Sequence, residues 1–262
     1  MKKLFLALSL AIFTLATVAG CGGGGTEKAA DKPIVVGLDD NFPPMGFRDE
    51  ANAIVGFDVD LAKEATTRLG VPVEFKAIDW SSKEAELASH RVDVLWNGLD
   101  ITEKRKENML FSNPYMDNRQ IIFVTKGNPN DIKTEADLAG KVIGTQSGAT
   151  TQDYIESNAD FRNSLAEVKY YSDYVSAFLD LQNGRLDAVV GDEIVGRYQI
   201  SKSDDTIEAV PVAVGPVSEF GIGFAKDNQA LKDKVQKVLD EMKKDGTTAK
   251  ISEKWFGADI TK

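Results

Sequence analysis

The sequence predicts an α/β protein built as two similar lobes, and three observations lead there. Strand-like and helix-like stretches alternate along the chain, the pattern of parallel α/β units. Residues 73–96, VEFKAIDWSSKEAELASHRVDVLW, are echoed by residues 168–190, VKYYSDYVSAFLDLQNGRLDAVV. In that echo Asp79 meets Asp173, Trp80 meets Tyr174, Ser82 meets Ser176, Leu87 meets Leu181, Arg91 meets Arg185 and Asp93 meets Asp187. Each copy reads strand, loop, short amphipathic helix, turn and buried strand. A looser echo joins Ile34-Val-Val-Gly37 to Lys141-Val-Ile-Gly144, two strands that open into polar loops. Two copies at so long a spacing mean two lobes, not a solenoid.

Taken in order, the chain begins Met-Lys-Lys, runs apolar from Leu4 to Ala19, and reaches its lone cysteine as Val18-Ala-Gly-Cys21. A basic start, a short apolar run and small residues at the cut make residues 1–20 a signal peptide. The run is too short and wrongly flanked for a permanent span. The small residues before Cys21 resemble a bacterial lipoprotein box, which implies a lipid on Cys21 as the first mature residue. The alternative is an ordinary leader and a leftover free thiol. Residues 21–32, glycine-rich and then polar, read as a flexible tether.

Phe57, Leu61, Ala65 and Leu69 recur every four residues, and Gly70-Val-Pro72 ends that helix. Val175, Phe178, Leu179 and Leu181 predict an apolar stripe on a helix in the second copy. Leu231, Val235, Val238, Leu239 and Met242 predict another over residues 228–244, before Gly246. All these positions are expected in the core. Residues 118–126 and 217–226 read as extended segments that cross between lobes. The expected division is therefore 33–117 with 218–262 for lobe 1, and 119–216 for lobe 2.

The 262 residues carry a formal net charge of −10, and losing Lys2 and Lys3 with the leader makes the remainder more acidic. That balance argues against nucleic acid as a partner. With one cysteine no intrachain disulfide forms, and a Cys/His zinc site cannot be assembled from one cysteine and one histidine. His90, at the end of a helix-like run, suits a helix C-terminal cation. No catalytic residue, metal or cofactor is expected.

The most informative stretch is residues 97–116, NGLDITEKRKENMLFSNPYM. A buried-looking strand, VDVLW, runs into a glycine turn and then a helix start where Thr102 can cap and Glu103 sits in the positive first turn. Arg105 then lies one turn in, near the strand mouth, where it can receive a carboxylate; the plainer reading is an exposed helix arginine. This stretch resembles the first-lobe ligand loop of the extracellular solute-binding proteins of polar amino-acid ABC transporters (family 3). GFDVDLAKE (56–64), GRLDAVVGDE (184–193) and KWFG (254–257) extend the resemblance over about 33–257.

The resemblance implies the two-lobed type II fold of periplasmic binding proteins, with the ligand cleft between lobes. It also implies roles. Arg105 clamps the α-carboxylate of a free amino acid; Gly98 offers a carbonyl to the ammonium. Asp39 faces the ligand side chain, Phe42 stacks on it and Trp80 forms a wall. From lobe 2, the N–H groups of Ala149 and Thr150, at a helix start, complete the carboxylate site, and Asp192 accepts the ammonium. Structural alternatives are a turn or cap role for Asp39 and Asp192, and core packing for Phe42 and Trp80. The expected activity is capture of a polar amino acid by hinge closure and delivery to a membrane permease, by a monomer anchored through Cys21 at the outer face of the cytoplasmic membrane or in the periplasm.

Asp100 departs from the family, which usually has Thr or Ser there. Two like charges about 4 Å apart cost ~4 kcal/mol at an effective dielectric of about 20, nearly three decades in affinity. Asp100 must therefore turn away, be protonated, or meet Arg105 or a cationic ligand group. With Asp39 it points to a basic amino acid such as arginine, lysine or histidine. Competing readings are a dehydratase-like enzyme on the same fold, with Asp100 or Glu219 as acid or base, and a ligand sensor acting through a partner.

Overall fold

A computed structural model describes residues 32–262. The expectations for the leader and for Cys21 concern residues outside that range. The chain opens with β1 (Ile34–Leu38) and a small antiparallel sheet of β2 (Asn41–Phe42), β3 (Gly46–Arg48) and β4 (Ile54–Val55), followed by α1 (Phe57–Leu69) and β5 (Val73–Ala77). A single 3-10 turn, Trp80–Ser82, leads into α2 (Lys83–Ala88), β6 (Val94–Asp100) and α3 (Glu103–Lys106). The short β7 (Met109–Phe111) and β8 (Met116–Asn118) come next. The middle of the chain supplies β9 (Gln120–Thr125), β10 (Val142–Gln146), α4 (Thr150–Ser157), α5 (Ala159–Ser164), β11 (Glu167–Tyr171) and α6 (Tyr174–Gln182). It ends with β12 (Ala188–Asp192), α7 (Glu193–Lys202) and β13 (Ile207–Ala213). The last stretch is β14 (Ser218–Ala225), α8 (Gln229–Lys244) and α9 (Thr247–Phe256).

These strands form two main sheets on one plan. The first runs β5-β1-β6-β14-β7, with β8 also on β14; the second runs β11-β10-β12-β9-β13. In each, three parallel strands are followed by an antiparallel one, β14 on β6 and β9 on β12. The chain passes from first sheet to second between Asn118 and Gln120, and returns between Ala213 and Ser218.

The sequence echo is an echo of bonds. Asp93 accepts from the Val35 N–H at 2.9 Å, and Asp187 accepts from the Val142 N–H at 2.8 Å, so each pins the start of its neighbouring strand. Asp79 and Asp173 each cap a helical turn, accepting from Ser81 N and Ser176 N. Arg91 binds Glu86 and Arg185 binds Asp180, both at 2.8 Å. Short polar side chains next to free backbone N–H groups find this role wherever the local chain geometry recurs.

β6 and β12 are buried along their whole length, as central strands covered on both faces must be. Phe57, Leu61 and Ala65 of α1 are buried, and Gly70 closes that helix in the left-handed conformation with its N–H on Thr66 and Thr67 carbonyls. On α8, Val235, Val238 and Met242 are buried. One expectation is corrected on α6: Leu179 is 53% exposed. The buried face there is Tyr174, Ala177, Phe178 and Leu181, because the helix turns the i, i+3, i+4, i+7 set inward and leaves Leu179 beside it. One apolar cluster holds Phe42, Phe57 and Trp96 from the first sheet's side together with Tyr174, Phe178 and Val189 from the second's. Among the described residues no helix is long and apolar enough to cross a membrane.

Candidate functional site

The carboxyl ends of β1 and β6 face those of β10 and β12, and every expected ligand residue except Trp80 lies on these strand ends or just beyond them. Asp39 follows β1. Its N–H donates to Asn97 Oδ1 at 3.0 Å, Asn41 N–H donates to its Oδ1 at 2.8 Å, and Gln146 Nε2, from the end of β10, donates to its Oδ2 at 2.6 Å. Burial pushes the Asp39 carboxyl up to about 7 against the pull of those donors.

Phe42 lies between the lobes, its ring 6.1 Å from that of Tyr174. Gly98 has φ +55, and a Cβ there would stand 2.8 Å from the Phe42 ring, so this turn of β6 excludes any side chain. Its N–H donates to Asp58 Oδ2 at 2.7 Å, and Tyr115 donates to the same oxygen at 3.0 Å. The buried Asp58 carboxyl is pushed up to about 7 by desolvation.

Arg105 is 2% exposed, against the plainer expectation of a surface arginine. The Thr102 hydroxyl caps the short helix α3 by accepting from Arg105 N. The guanidinium is aimed by two carbonyls, one from each lobe: Nη1 donates to Asp100 O at 3.0 Å and Nη2 to Gly148 O at 3.1 Å. Its Nε–H is buried without a hydrogen-bond partner among the described residues.

Trp80 sits in the apolar cluster of Leu87, Val92 and Leu95 beneath the first sheet, so its ring packs as core. Its position matters through the backbone. Lys83 lies 5.2 Å over the indole and donates to Trp80 O at 3.2 Å and to Gly148 O at 2.7 Å. Gly148, at φ +76, comes so close that a Cβ would stand 2.8 Å from Ser81 Cα. Burial, and then the charge of Arg105, hold the Lys83 amine down at about 7.

On the second lobe α4 starts at Thr150, with Ala149 as its cap residue. The Ala149 N–H, expected with that of Thr150 to be open to a carboxylate, instead donates to Gln146 O at 3.3 Å. The N–H groups of Thr150 and Thr151 have no such partner among the described residues, as the first turn of a helix leaves them. Asp192 ends β12 and makes no side-chain cap bond to α7. Its Oδ1 accepts from Asn118 Nδ2 at 2.5 Å and Gln120 Nε2 at 2.8 Å, while Oδ2 carries no hydrogen bond among the described residues. Burial, and then the neighbouring charge of Asp100, push its carboxyl up to about 7.

Asp100 turns away from Arg105. Its Oδ1 accepts from Asn118 Nδ2 at 2.9 Å and Ser218 Oγ at 2.5 Å, and its Oδ2 accepts from the Thr150 hydroxyl. A cavity of about 1120 Å³ is lined in part by Asn118, Ser218, Arg197 and Trp255; Arg105, Asp39 and Asp192 do not line it.

Sequence reasoning passed over Gln146, Lys83, Asn118, Gln120 and Asp58. Four of them stood in stretches already singled out: Asp58 in GFDVDLAKE, Lys83 in residues 73–96, and Asn118 and Gln120 in residues 118–126. The arrangement presents a guanidinium and helix-start N–H groups to an anion, and carboxylate oxygens to a cation.

Residues 34–258 match the model of the bacterial extracellular solute-binding proteins, family 3. The chain is 34% identical over 229 residues to the L-cystine-binding protein TcyJ of Escherichia coli, covering 87% of this chain and 84% of that one. It is 35% identical over 259 residues to the ABC transporter arginine-binding protein 1 of Escherichia coli, covering 98% and 99%. Among solved structures, a histidine-bound ABC uptake transporter substrate-binding protein from Streptococcus pneumoniae superposes with a TM-score of 0.83 at 33% identity, covering 87% of this chain and 94% of that one. With most of its length matched by that family model, the chain belongs to the bacterial extracellular solute-binding proteins, family 3.

Proposed function

We propose that this protein captures a free polar amino acid between its lobes, 33–117 with 218–262 against 119–216, and delivers it to the membrane permease of an ABC transporter. The observation that carries the reading is the pairing of opposite functions across one cleft. Arg105 and the open N–H groups of Thr150 and Thr151 suit an α-carboxylate; Asp192, with Oδ2 unengaged, suits an α-ammonium. Donors come from both lobes, so full contact requires closure, and ligand favours the closed form by its differential affinity. Gly98 offers its carbonyl to the ammonium, and Phe42 lies against the ligand side chain.

The side chain meets Asp39, a buried carboxyl with no cation among its hydrogen-bond partners, which suits a basic amino acid: arginine, lysine or histidine. Similar proteins named for arginine and for cystine mark the alternatives. The role is binding and delivery, not catalysis. The protein acts as a monomer, exported and held at the membrane by lipid on Cys21.

Thermal shift against the twenty amino acids, ornithine and cystine tests this, because a ligand that binds only the folded form raises the melting temperature. The expected result is a shift with one or two basic amino acids. A shift with cystine or glutamine alone discards the basic ligand, and no shift with any of them overturns the reading.

A further inference from the structure

Asp100 is a buried carboxyl between the lobes with no cation among its hydrogen-bond partners, and its surroundings give it a purpose. It is 4% exposed, and both its carboxylate oxygens are engaged by neutral donors. Asn118 and Ser218 stand on β8 and β14, which pair with each other, and Phe220 of β14 pairs directly with Asp100. Both donors therefore move with the first sheet whichever way the lobes rotate. Thr150 does not: it opens α4 of the second lobe. The Thr150–Asp100 bond is thus the one bond of this carboxylate that exists only while the lobes are closed. Its donor sits in the first helical turn, whose partial positive charge adds to the attraction.

The bond uses the Thr150 hydroxyl and leaves the backbone N–H groups of α4 free for a ligand carboxylate. Asp100 and a bound amino acid therefore do not compete for the same hydrogen. The carboxylate also faces away from Arg105, which touches only the Asp100 carbonyl. Like-charge repulsion, the reason to expect Asp100 to weaken binding, is offset by three donors at hydrogen-bond distance.

We infer that Asp100 is a closing latch: its carboxylate seizes the Thr150 hydroxyl of the opposite lobe, populates the closed form before ligand arrives, and so raises affinity for every ligand the cleft accepts. This rests on the reading that an amino acid binds in the cleft. Apparent affinity scales with the fraction of molecules in the competent state, so the latch acts equally on all ligands, whereas a residue touching the ligand discriminates among them.

The test compares wild type, Asp100→Thr and Thr150→Val by small-angle X-ray scattering without ligand and by calorimetric titration with arginine and glutamine. The expected result is a larger radius of gyration for both ligand-free variants. Kd for whichever amino acid binds is expected to rise about tenfold in both, the scale of one buried hydrogen bond. Thr150→Val leaves Asp100 bound to Asn118 and Ser218, so it reads the latch even where Asp100→Thr fails to fold. An unchanged radius of gyration in Thr150→Val overturns the inference, as does an affinity that holds or improves in either folded variant. Should wild type bind neither amino acid, the transport reading fails while the scattering comparison still decides on the latch.

Discussion

Asp192 is placed where its charge is costly. Its pKa of about 7 in the folded chain, against 3.8 for the free side chain, follows from burial first and from Asp100 second. Between those two values the folded state holds a proton that the unfolded state has lost. This group's contribution to stability therefore falls as pH rises from about 4 to about 7. Lys83 has the opposite sign: its folded pKa of about 7 lies below 10.5, so the unfolded chain binds the extra proton and stability rises with pH across that window. If Asp192 receives an α-ammonium as proposed, it must be ionised, so binding below pH 7 must expel a proton. Amino-acid affinity is expected to fall by up to about tenfold per unit as pH drops from 7 to 5. Calorimetry in buffers of different ionisation enthalpy should register the released proton. Asp192→Asn should raise the melting temperature of the ligand-free protein at pH 8 and weaken amino-acid binding by about a hundredfold, the loss of a buried charge pair. A variant that binds with unchanged affinity would remove Asp192 from the ammonium site.

At the scale of elements, the loop between β10 and α4 carries the second lobe's backbone against the first lobe's. Gly148 brings its carbonyl to Lys83 and Arg105 and its Cα against the backbone of Trp80 and Ser81. The clash that a Cβ would meet is with the opposite lobe, not with its own. Gly148→Ala is therefore expected to cost the fold the strain of φ +76, about 1–2 kcal/mol, and to disfavour the closed form besides, so that amino-acid affinity drops further than that strain explains. A melting curve and a titration on the same variant separate the two, and equal losses in both would show that the contact is not specific to closure. The elements themselves were legible. Asp79 with Asp173 and Asp93 with Asp187 announced two copies of one unit, because a cap or a strand clip is a local bond that leaves its residue at a fixed offset. The loop that holds Gly148 was legible as a helix start. Its close approach to residue 81 was not, since no periodicity carries a contact between segments that meet only after both lobes have folded. Gln146 on Asp39 was hidden for the same reason, at a separation of 107 residues, and Asp58 on Gly98 because no local pattern carries a bond between segments 40 residues apart within one lobe. The exposed Leu179 shows the converse error, an apolar residue read as core from its neighbours when the helix turns it outward.

For the molecule as a whole, charge is the property that reaches beyond contact distance. The formal net charge of −10 accompanies a cleft whose buried carboxylates outnumber its buried cations. An acidic surface around an acidic cleft focuses its field toward the opening and concentrates cations there. A zwitterion such as glutamine has no net charge for that field to act on, whereas arginine carries one positive charge. Screening shortens the reach of the field from about 30 Å at 0.01 M salt to about 3 Å at 1 M. If the cleft takes a basic amino acid, its association rate should fall several-fold over that range, while any glutamine association should hardly change. The comparison within one protein cancels salt effects on folding and on lobe motion, because both ligands meet the same closing molecule. Stopped-flow tryptophan fluorescence at four salt concentrations reads it directly. Equal salt dependence for the two ligands would mean that the acidity serves the exported chain in some way other than steering, and would leave the preference for a basic ligand resting on Asp39 alone.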